Sequence, residues 1–335
     1  VEDDEQLFRR FQRCYNRQHV AFAEQSRRRE AFVANLDYIT TSNGKYASAG
    51  KSMRLGVNEF ADLISAEFGN RHLMPSLPPP PPKPATAVVG ASKATGQGLR
   101  SNGTSCDRSA RYATPVKSQG QCGSCYVFAT VAAAEGAIAL WGNQWAVALS
   151  EQQVLTCCDN RRCGGGYTER AADCLVEHHV VAAAERYPYN ITALKANATC
   201  PFANATDHSF YYTKVGFGGG AVSRRYTVRG EDMMKATLGD AQCDVLYAPA
   251  VAQCIDASHR SFQLYKSGVY EEPACTTTTD HCISVWGWGT TADGEDYWIV
   301  KNSWGTSWGL EGYMYMKRGV QMCAMGYYDS VYFSI

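Results

Sequence analysis

Residues 119–126 read Gln-Gly-Gln-Cys-Gly-Ser-Cys-Tyr, and the fold turns on what the two cysteines, three apart, are doing. A structural zinc half-site needs a second matching pair. Cys157-Cys158 and the single Cys163 have the wrong spacing. A redox pair of the thioredoxin kind would follow a strand in a βαβ unit, and the surrounding pattern offers none. The remaining reading gives the cysteines different tasks. Residues 124–141 (SCYVFATVAAAEGAIALW) form a long, nearly uncharged helical run, the pattern of a helix buried on most sides. Cys125 opens it, where free amide groups and the helix dipole stabilise a thiolate. Cys122, in the loop before it, is expected in a disulfide.

A thiolate nucleophile needs a partner imidazole and a group that orients it. The chain has seven histidines, and His281 stands in Asp280-His-Cys-Ile-Ser-Val-Trp-Gly-Trp-Gly289, the start of an apolar β run. Asn302 follows a strand ending at Lys301 and begins Asn302-Ser-Trp-Gly-Thr-Ser-Trp-Gly309. Tryptophans beside an Asn–His hydrogen bond shield it from water and strengthen it. The bland alternative is a satisfied core histidine with two core tryptophans, and only the Cys125 segment tips the balance. Ser150 with Gln153 reads as a capping box opening another helix. After about residue 245 short β-rich runs take over, such as 296–301 and 312–317, separated by glycine turns. Helices first and strands later predict an α+β protein of two subdomains, one α-rich and one β-rich.

The composition limits the alternatives. Lys plus Arg equals Asp plus Glu at 32 each, so no global basic field points to nucleic acid or an anionic membrane. The basic run Arg27–Arg29 lies in a helical pattern and reads as a solvated face. No membrane span is expected, because the most apolar stretch, Val127 to Leu149, is broken by Glu135, Gly136, Gly142 and Asn143. Fourteen cysteines and sequons at Asn102, Asn190, Asn197 and Asn204 argue for glycosylation and an oxidising, secretory compartment. No signal-type run is read at Val1, so a secreted chain is expected to have lost its leader.

Residues 75–84 (PSLPPPPPKP) read as a polyproline II rod, and 85–104 as flexible Ala/Gly/Ser/Thr-rich chain. A linker at 75–104 therefore separates an N-terminal unit, 1–74, from a larger unit, 105–335. In the first, Leu7, Phe8, Phe11 and Tyr15 share one helix face. Glu24, Arg28, Phe32, Asn35, Ile39 and Asn43 form a stripe along a second helix.

Together these segments resemble the papain and cathepsin L family of cysteine proteases. The match runs through Pro115 to Cys125, Leu149-Ser-Glu-Gln152, Cys163-Gly-Gly-Gly166 and Tyr297 to Gly309, in family order. The stripe matches the family's ERFNIN pro-segment pattern at every position, and Gly56-Val-Asn58-Glu-Phe60-Ala-Asp62 matches its second pro-segment motif. The resemblance implies a papain-like two-subdomain fold with a helical inhibitory pro-domain. It makes Cys125 the nucleophile, His281 its ion-pair partner and Asn302 the orienting group under Trp304. The Gln119 side chain and the Cys125 amide would form the oxyanion hole. Gly123 and the main chain of Gly165 and Gly166 would hold an extended substrate. Tyr167, Ala257, Cys282 and Tyr328 would surround the pocket for the second residue before the cleaved bond. It implies disulfides Cys122–Cys163, Cys157–Cys200 and Cys275–Cys323; Cys158–Cys174 and Cys243–Cys282 are conceivable additions.

The expected protein is therefore a cysteine endopeptidase zymogen acting through an acyl-enzyme in a lysosome-like or secreted setting. It would be a monomer, need no cofactor or metal, and meet peptide substrates and cystatin-like inhibitors. The pro-segment is expected to cross the cleft in reverse at 63–76, clasped by Glu24, Arg28 and Asp62. Acid would release it, with a final cut in 85–110. Departures from the family pattern are Tyr126 for Trp, Gly164 for Asn, and Cys106-Asp-Arg108 near the mature N-terminus. Two rivals are a protease-like binding protein without activity, which the intact catalytic set opposes, and a free inhibitory 1–74 fragment.

Overall fold

The computed structural model describes residues 3–17, 21–75, 99–101, 105–142, 145–158, 161–178, 182–201, 224–239, 243 and 247–334. In the N-terminal unit, Asp3 caps α1 (Asp4–Cys14) by accepting from the Gln6 amide. Phe8 and Phe11 on its buried face meet Phe32 of α2 (Phe22–Ser48), with the Phe11–Phe32 centroids 4.9 Å apart. The polar members of the α2 stripe bind the main chain of the segment that follows. Asn43 donates to the Leu55 carbonyl at 2.9 Å and accepts from the Leu55 amide at 2.8 Å. Asn35 donates to the carbonyls of Ala61 and Leu63 at 2.7 and 2.9 Å. Loop amides and carbonyls buried this way must find partners, and the stripe supplies them.

Arg28, only 2% exposed, donates to Glu24 at 2.7 Å and to Glu67 at 2.9 Å. It also reaches the main-chain carbonyl of Asp62 at 3.1 Å. The second carboxylate of the expected clasp is thus Glu67, with Asp62 contributing its backbone. The spacing of α2 exposes which residues share its stripe but not which later side chain folds back onto it. Beyond α2 come β1 (Arg54–Leu55) and α3 (Ser65–His72).

The larger unit opens with β2 (Leu99–Ser101) and β3 (Ser105–Asp107), an antiparallel pair. The last part of the expected linker is therefore tied into a sheet. The helices α4 (Ser109–Tyr112), α5 (Cys125–Gly142), α6 (Glu151–Cys157), α7 (Thr168–His178) and α8 (Ile191–Lys195) follow. Then β4 (Arg224–Val228) and α9 (Glu231–Leu238) precede β5 (Val251–Ile255) and α10 (Arg260–Gln263). The chain ends through β6 (Tyr265–Ser267), β7 (Val269–Tyr270), β8 (His281–Thr290), β9 (Asp296–Lys301), β10 (Tyr313–Lys317) and β11 (Ser330–Ser334). Nine strands form one sheet in the order β4-β11-β5-β8-β9-β10-β7, with β3 and then β2 attached to β8. The α-then-β organisation matches the α+β reading.

Helix α5 is buried at every residue from Cys125 to Leu140. By length and a mean hydropathy of 1.4 it could cross a membrane, but 89% of it is buried inside the protein. It is a core helix lying on β5, β8 and β11. Gly136 is required there, since a Cβ would stand 2.9 Å from the Trp286 ring. Its one charge, Glu135, accepts from Lys117 at 2.6 Å, from Thr114 at 2.6 Å and from the Leu149 amide at 2.7 Å. Lys117 also reaches Glu151 at 2.6 Å. This buried cluster fixes the loop that carries Gln119 against the helix that carries Cys125.

Disulfides Cys122–Cys163, Cys157–Cys200, Cys275–Cys323 and Cys158–Cys174 are all present. The pairing Cys243–Cys282 is not. Cys243 joins Cys106, and Cys282 joins Cys254, which faces it directly across the β5–β8 ladder with Cα atoms 3.9 Å apart. Strand register decided that pairing, and register is not legible from cysteine spacing. Cys14 and Cys125 remain free.

The two units share one core. Antiparallel pairing joins β1 to β6, and the Gly56 amide donates to the Leu264 carbonyl at 2.9 Å. Asn58 donates to the Gln263 carbonyl at 2.8 Å, while the Gln263 amide donates back to the carbonyls of Phe60 and Leu63, each at 2.9 Å. Arg260 donates to Asn35 at 2.7 Å.

Candidate active site

Cys125 is the first residue of α5, and His281 the first of β8, so a helix start and a strand start meet at the seam between α5 and the sheet. The strand β9 ends at Lys301 and delivers Asn302 beside His281. His281 Nε2–H donates to Asn302 Oδ1 at 2.8 Å, and the Ser303 amide donates to the same oxygen at 2.7 Å. That bond sets the tautomer: Nδ1 is left as the basic nitrogen. It is buried without a hydrogen-bond partner among the described residues. The imidazole lies against Trp304, with centroids 4.4 Å apart. Trp304 in turn packs on Phe262 and Trp308.

Gln119 is held from both ends. Its amide donates to the Ser303 carbonyl at 2.8 Å, and Ser303 Oγ donates to Gln119 Oε1 at 2.6 Å. This orients Nε2 toward the cleft. There it donates to the Cys122 carbonyl at 2.9 Å and to the main-chain carbonyl of His72 at 3.0 Å. A pro-segment carbonyl thus occupies the Gln119 side-chain donor.

The pro-segment covers the rest of the cleft. Phe60 and Phe68 pack edge-on to Trp304 at 5.7 and 5.1 Å. The Met74 amide donates to the Asp280 carbonyl at 2.7 Å. Gly165, at φ +78°, lies so close to Met74 that a Cβ there would stand 3.0 Å from the Met74 Cβ. A Cβ on Gly123 would stand 2.7 Å from the Cys163 carbonyl and 3.5 Å from that of Leu73. Gly166 is buried beside Gly165. Gly123 and Gly165, two of the glycines expected to receive substrate, therefore lie under residues 73–75.

A free thiol at a helix start, an imidazole oriented by an amide, and an inhibitory segment lying over both make up a latent cysteine peptidase. Comparison with known proteins agrees. The family description "papain family cysteine protease" matches residues 103–333, and "cathepsin propeptide inhibitor domain (I29)" matches residues 8–68. The chain belongs to the papain family of cysteine proteases. It is 34% identical over 313 residues to digestive cysteine proteinase 1 of Homarus americanus, covering 92% of this chain and 88% of that one. It is 36% identical over 302 residues to cysteine proteinase 3 of Dictyostelium discoideum, covering 87% and 80%. Among solved structures, a recombinant stem bromelain precursor superposes with a TM-score of 0.76 at 28% identity, covering 100% of this chain and 99% of that one. Digestive procathepsin L2 of Tenebrio molitor gives 0.78 at 26%, covering 99% and 100%.

In this papain-family zymogen, burial works against charge on both the Cys125 thiol and the His281 imidazole. Burial pushes the Cys125 thiol up to about 12, with the Cys282 amide opposing, and pushes His281 down to about 4, with the Asn302 bond opposing. Uncovering the cleft returns water to both groups and lifts that penalty. Burial also drives Asp280 up to about 7, although its carboxylate accepts from the Ala257 amide at 2.8 Å.

The four residues expected around the specificity pocket are placed as follows. Ala257 and Cys282 are fully buried, and Cys282 is committed to its disulfide. Tyr167 is half-buried with the Arg170 guanidinium 5.8 Å from its ring centre. Tyr328 is half-buried and meets Tyr327 edge to face at 4.9 Å. Asn190 and Asn197 are exposed, and Asn190 caps α8; Asn102 and Asn204 lie outside the described residues. Asp256, His259 and Cys275 lie together, but the Cys275 sulfur is bonded to Cys323 and the Asp256 carboxylate is taken by Ser258 and Thr276. Sequence reasoning missed Ser303, although it adjoins Asn302 in the quoted motif. It also missed His72, Arg260 and Gln263, whose tasks depend on the docking of two distant segments.

Proposed function

We propose that the mature chain is an endopeptidase that cleaves through a Cys125 acyl-enzyme, and that acid releases its pro-segment. The single observation that carries the reading is the His72 carbonyl on Gln119 beside a free Cys125 and an Asn302-oriented His281. In this reading Nδ1 of His281 takes the thiol proton, the thiolate attacks the peptide carbonyl, and Gln119 with the Cys125 amide binds the oxyanion. The imidazolium then protonates the leaving amine, and water resolves the acyl-enzyme by the same route. Residues 73–75 would lie across the cleft opposite in direction to substrate, which protects them from cleavage. The digestive and cathepsin-type relatives support a lysosomal or secreted setting, and inhibitors of the cystatin type are expected partners.

Among the groups that supply acid sensitivity, two lie in the pro-segment. Glu24 is held down to about 2 by hydrogen bonds from Arg27 and Arg28. Its contribution is complete above the ordinary carboxylate value and fades only as pH falls from about 4.5 toward 2. His72 is pushed down to about 4, chiefly by burial. Its contribution is complete above about 6.5 and is lost as pH falls from there to 4. Incubation of the zymogen at pH 5 should yield a shorter, active chain, whereas incubation at pH 7.5 should not. Equal processing at both, with an active mature form, would refute acid release.

Substrate choice follows from the pocket assignment. With Tyr167, Ala257 and Tyr328 around it, Leu or Val should be preferred over Arg two residues before the cut; the nearby Asp280 carboxylate accepts from the Ala257 amide at 2.8 Å and is not assigned to the pocket floor. Discrimination among aliphatics should be shallow, since one methylene is worth about 10–200-fold at most. Fluorogenic dipeptides varied at that position measure this on the mature enzyme. Tyr328→Glu should raise Arg turnover; no change would remove Tyr328 from the pocket.

A further inference from the structure

We infer that His72 is the proton sensor that releases the pro-segment in the mildly acidic range, an inference that rests on the acid-release reading above. The residue closes α3, and its own carbonyl is the one held by Gln119, so the ring and the inhibitory contact belong to one residue. The ring lies between Phe60 and Phe68, with centroids 4.7 and 5.4 Å away. Its Nδ1–H donates to the Gly120 carbonyl at 3.2 Å, in the same loop as Gln119. That bond leaves Nε2 as the nitrogen that takes a proton. The site suits a neutral imidazole and penalises an imidazolium, which would gain a charge among two phenyl rings.

The charged surroundings do not relieve that penalty. A cavity of about 320 Å³ beside His72 is lined by Arg17 from the turn after α1, Glu24 and Arg28 of α2, Glu59 and Asp62 of the β1–α3 segment, and Arg71 of α3. Three of these are cationic and three anionic, so the lining carries no formal net charge. Arg28 holds Glu24, and Arg17 donates to the Glu59 carbonyl at 2.6 Å with its guanidinium 3.6 Å from the Glu59 carboxylate. Arg17 and Arg71 both act against protonation of His72, and across the cleft the His72 and His281 charges oppose each other. The cavity gives water and protons a route to the ring. The Glu24–Arg28 clasp titrates lower, below about 4.5, so between pH 6.5 and 4.5 the two buried imidazoles respond: His281, which stays with the mature chain, and His72, which lies in the pro-segment itself.

The sign follows from linkage. With its bound value near 4 against an ordinary 6.5, protonation weakens docking by about thirtyfold at pH 5 relative to pH 7.5. The imidazolium is then expelled, the His72 carbonyl leaves Gln119, and residues 73–75 lift from the glycines beneath them. His72 is cut away with the pro-segment, so the mature enzyme keeps no trace of the sensor.

The test uses the full-length chain and its His72→Gln variant, whose amide can still donate to Gly120 but cannot titrate. Self-processing is measured from pH 7.5 to 4.5 and divided by the peptidase rate of the mature enzyme at each pH. The wild type should accelerate at least thirtyfold between pH 7.5 and 5 on this scale, and His72→Gln should fall short of it by about thirtyfold, keeping only the part that His281 contributes. Equal acceleration in both overturns the inference while leaving acid release standing. So does a His72→Gln chain that is faster by the same factor at every pH, which would mark a packing role. No acceleration in the wild type overturns both readings. NMR titration of His72 in the full-length Cys125→Ala chain gives an independent readout: a value near 4 is expected, and an ordinary value near 6.5 excludes the sensor.

Discussion

Cys125→Ala should leave a folded zymogen with no measurable peptidase activity, a loss on the order of 10⁵ or more, as expected when the nucleophile of a cooperating set is removed. The chemistry has no substitute, because Cys14 is the other free cysteine and is exposed on α1 in the pro-segment. The fold should survive, because the change removes one sulfur atom from the start of a helix anchored along its whole length. A stability cost of about 1 kcal/mol is expected. The variant should also persist as the unprocessed chain at pH 5, and adding a trace of active enzyme should restore cutting. Asn302→Ala should be milder, since His281 keeps its stack on Trp304. Substantial activity in Cys125→Ala, with contaminants excluded, would refute the mechanism.

Gln119→Ala should act on both states of the molecule. In the mature enzyme it removes the proposed oxyanion donor and should lower kcat/KM by about 10²–10³. In the zymogen it removes the hydrogen bond to the His72 carbonyl and leaves Ser303 Oγ without its acceptor. The pro-segment should therefore be held less tightly, and at pH 7 the variant zymogen should be cut faster than wild type by added active enzyme. Assaying the two effects separately, one with a dipeptide substrate and one with added protease, distinguishes a shared contact from a general loss of structure. A variant slow in catalysis but unchanged in pro-segment release would show that the His72 contact is incidental.

What could be read from the chain alone was what repeats with a fixed period or stands in a short motif. The buried helix at 125–142 announced itself by its apolar run, the α2 stripe by its spacing, and the candidate site by the segments around Cys125, His281 and Asn302. Contacts made between distant segments were not legible. Glu67 replaced the Asp62 carboxylate on Arg28 because α3 folds back onto α2. Cys254 took Cys282 because the β5–β8 register sets them face to face, a choice that spacing does not encode. The strand at Leu99–Ser101 forms inside a stretch rich in small polar residues because β3 and β8 offer it an edge. His72 carried no motif at all. Its significance comes from the two phenyl rings, the Gly120 carbonyl and Gln119, which converge on it only in the docked state.

The central claim is that Cys125 is a competent nucleophile kept from substrate by residues 72–75. A mechanism-based epoxide, applied to the zymogen at pH 7.5 and to the acid-processed chain, measures this directly by peptide mapping of the labelled residue. The account predicts stoichiometric labelling of Cys125 in the processed chain and almost none in the zymogen. Equal labelling of both forms, or a processed chain that cleaves peptides while Cys125 stays unmodified, would contradict it.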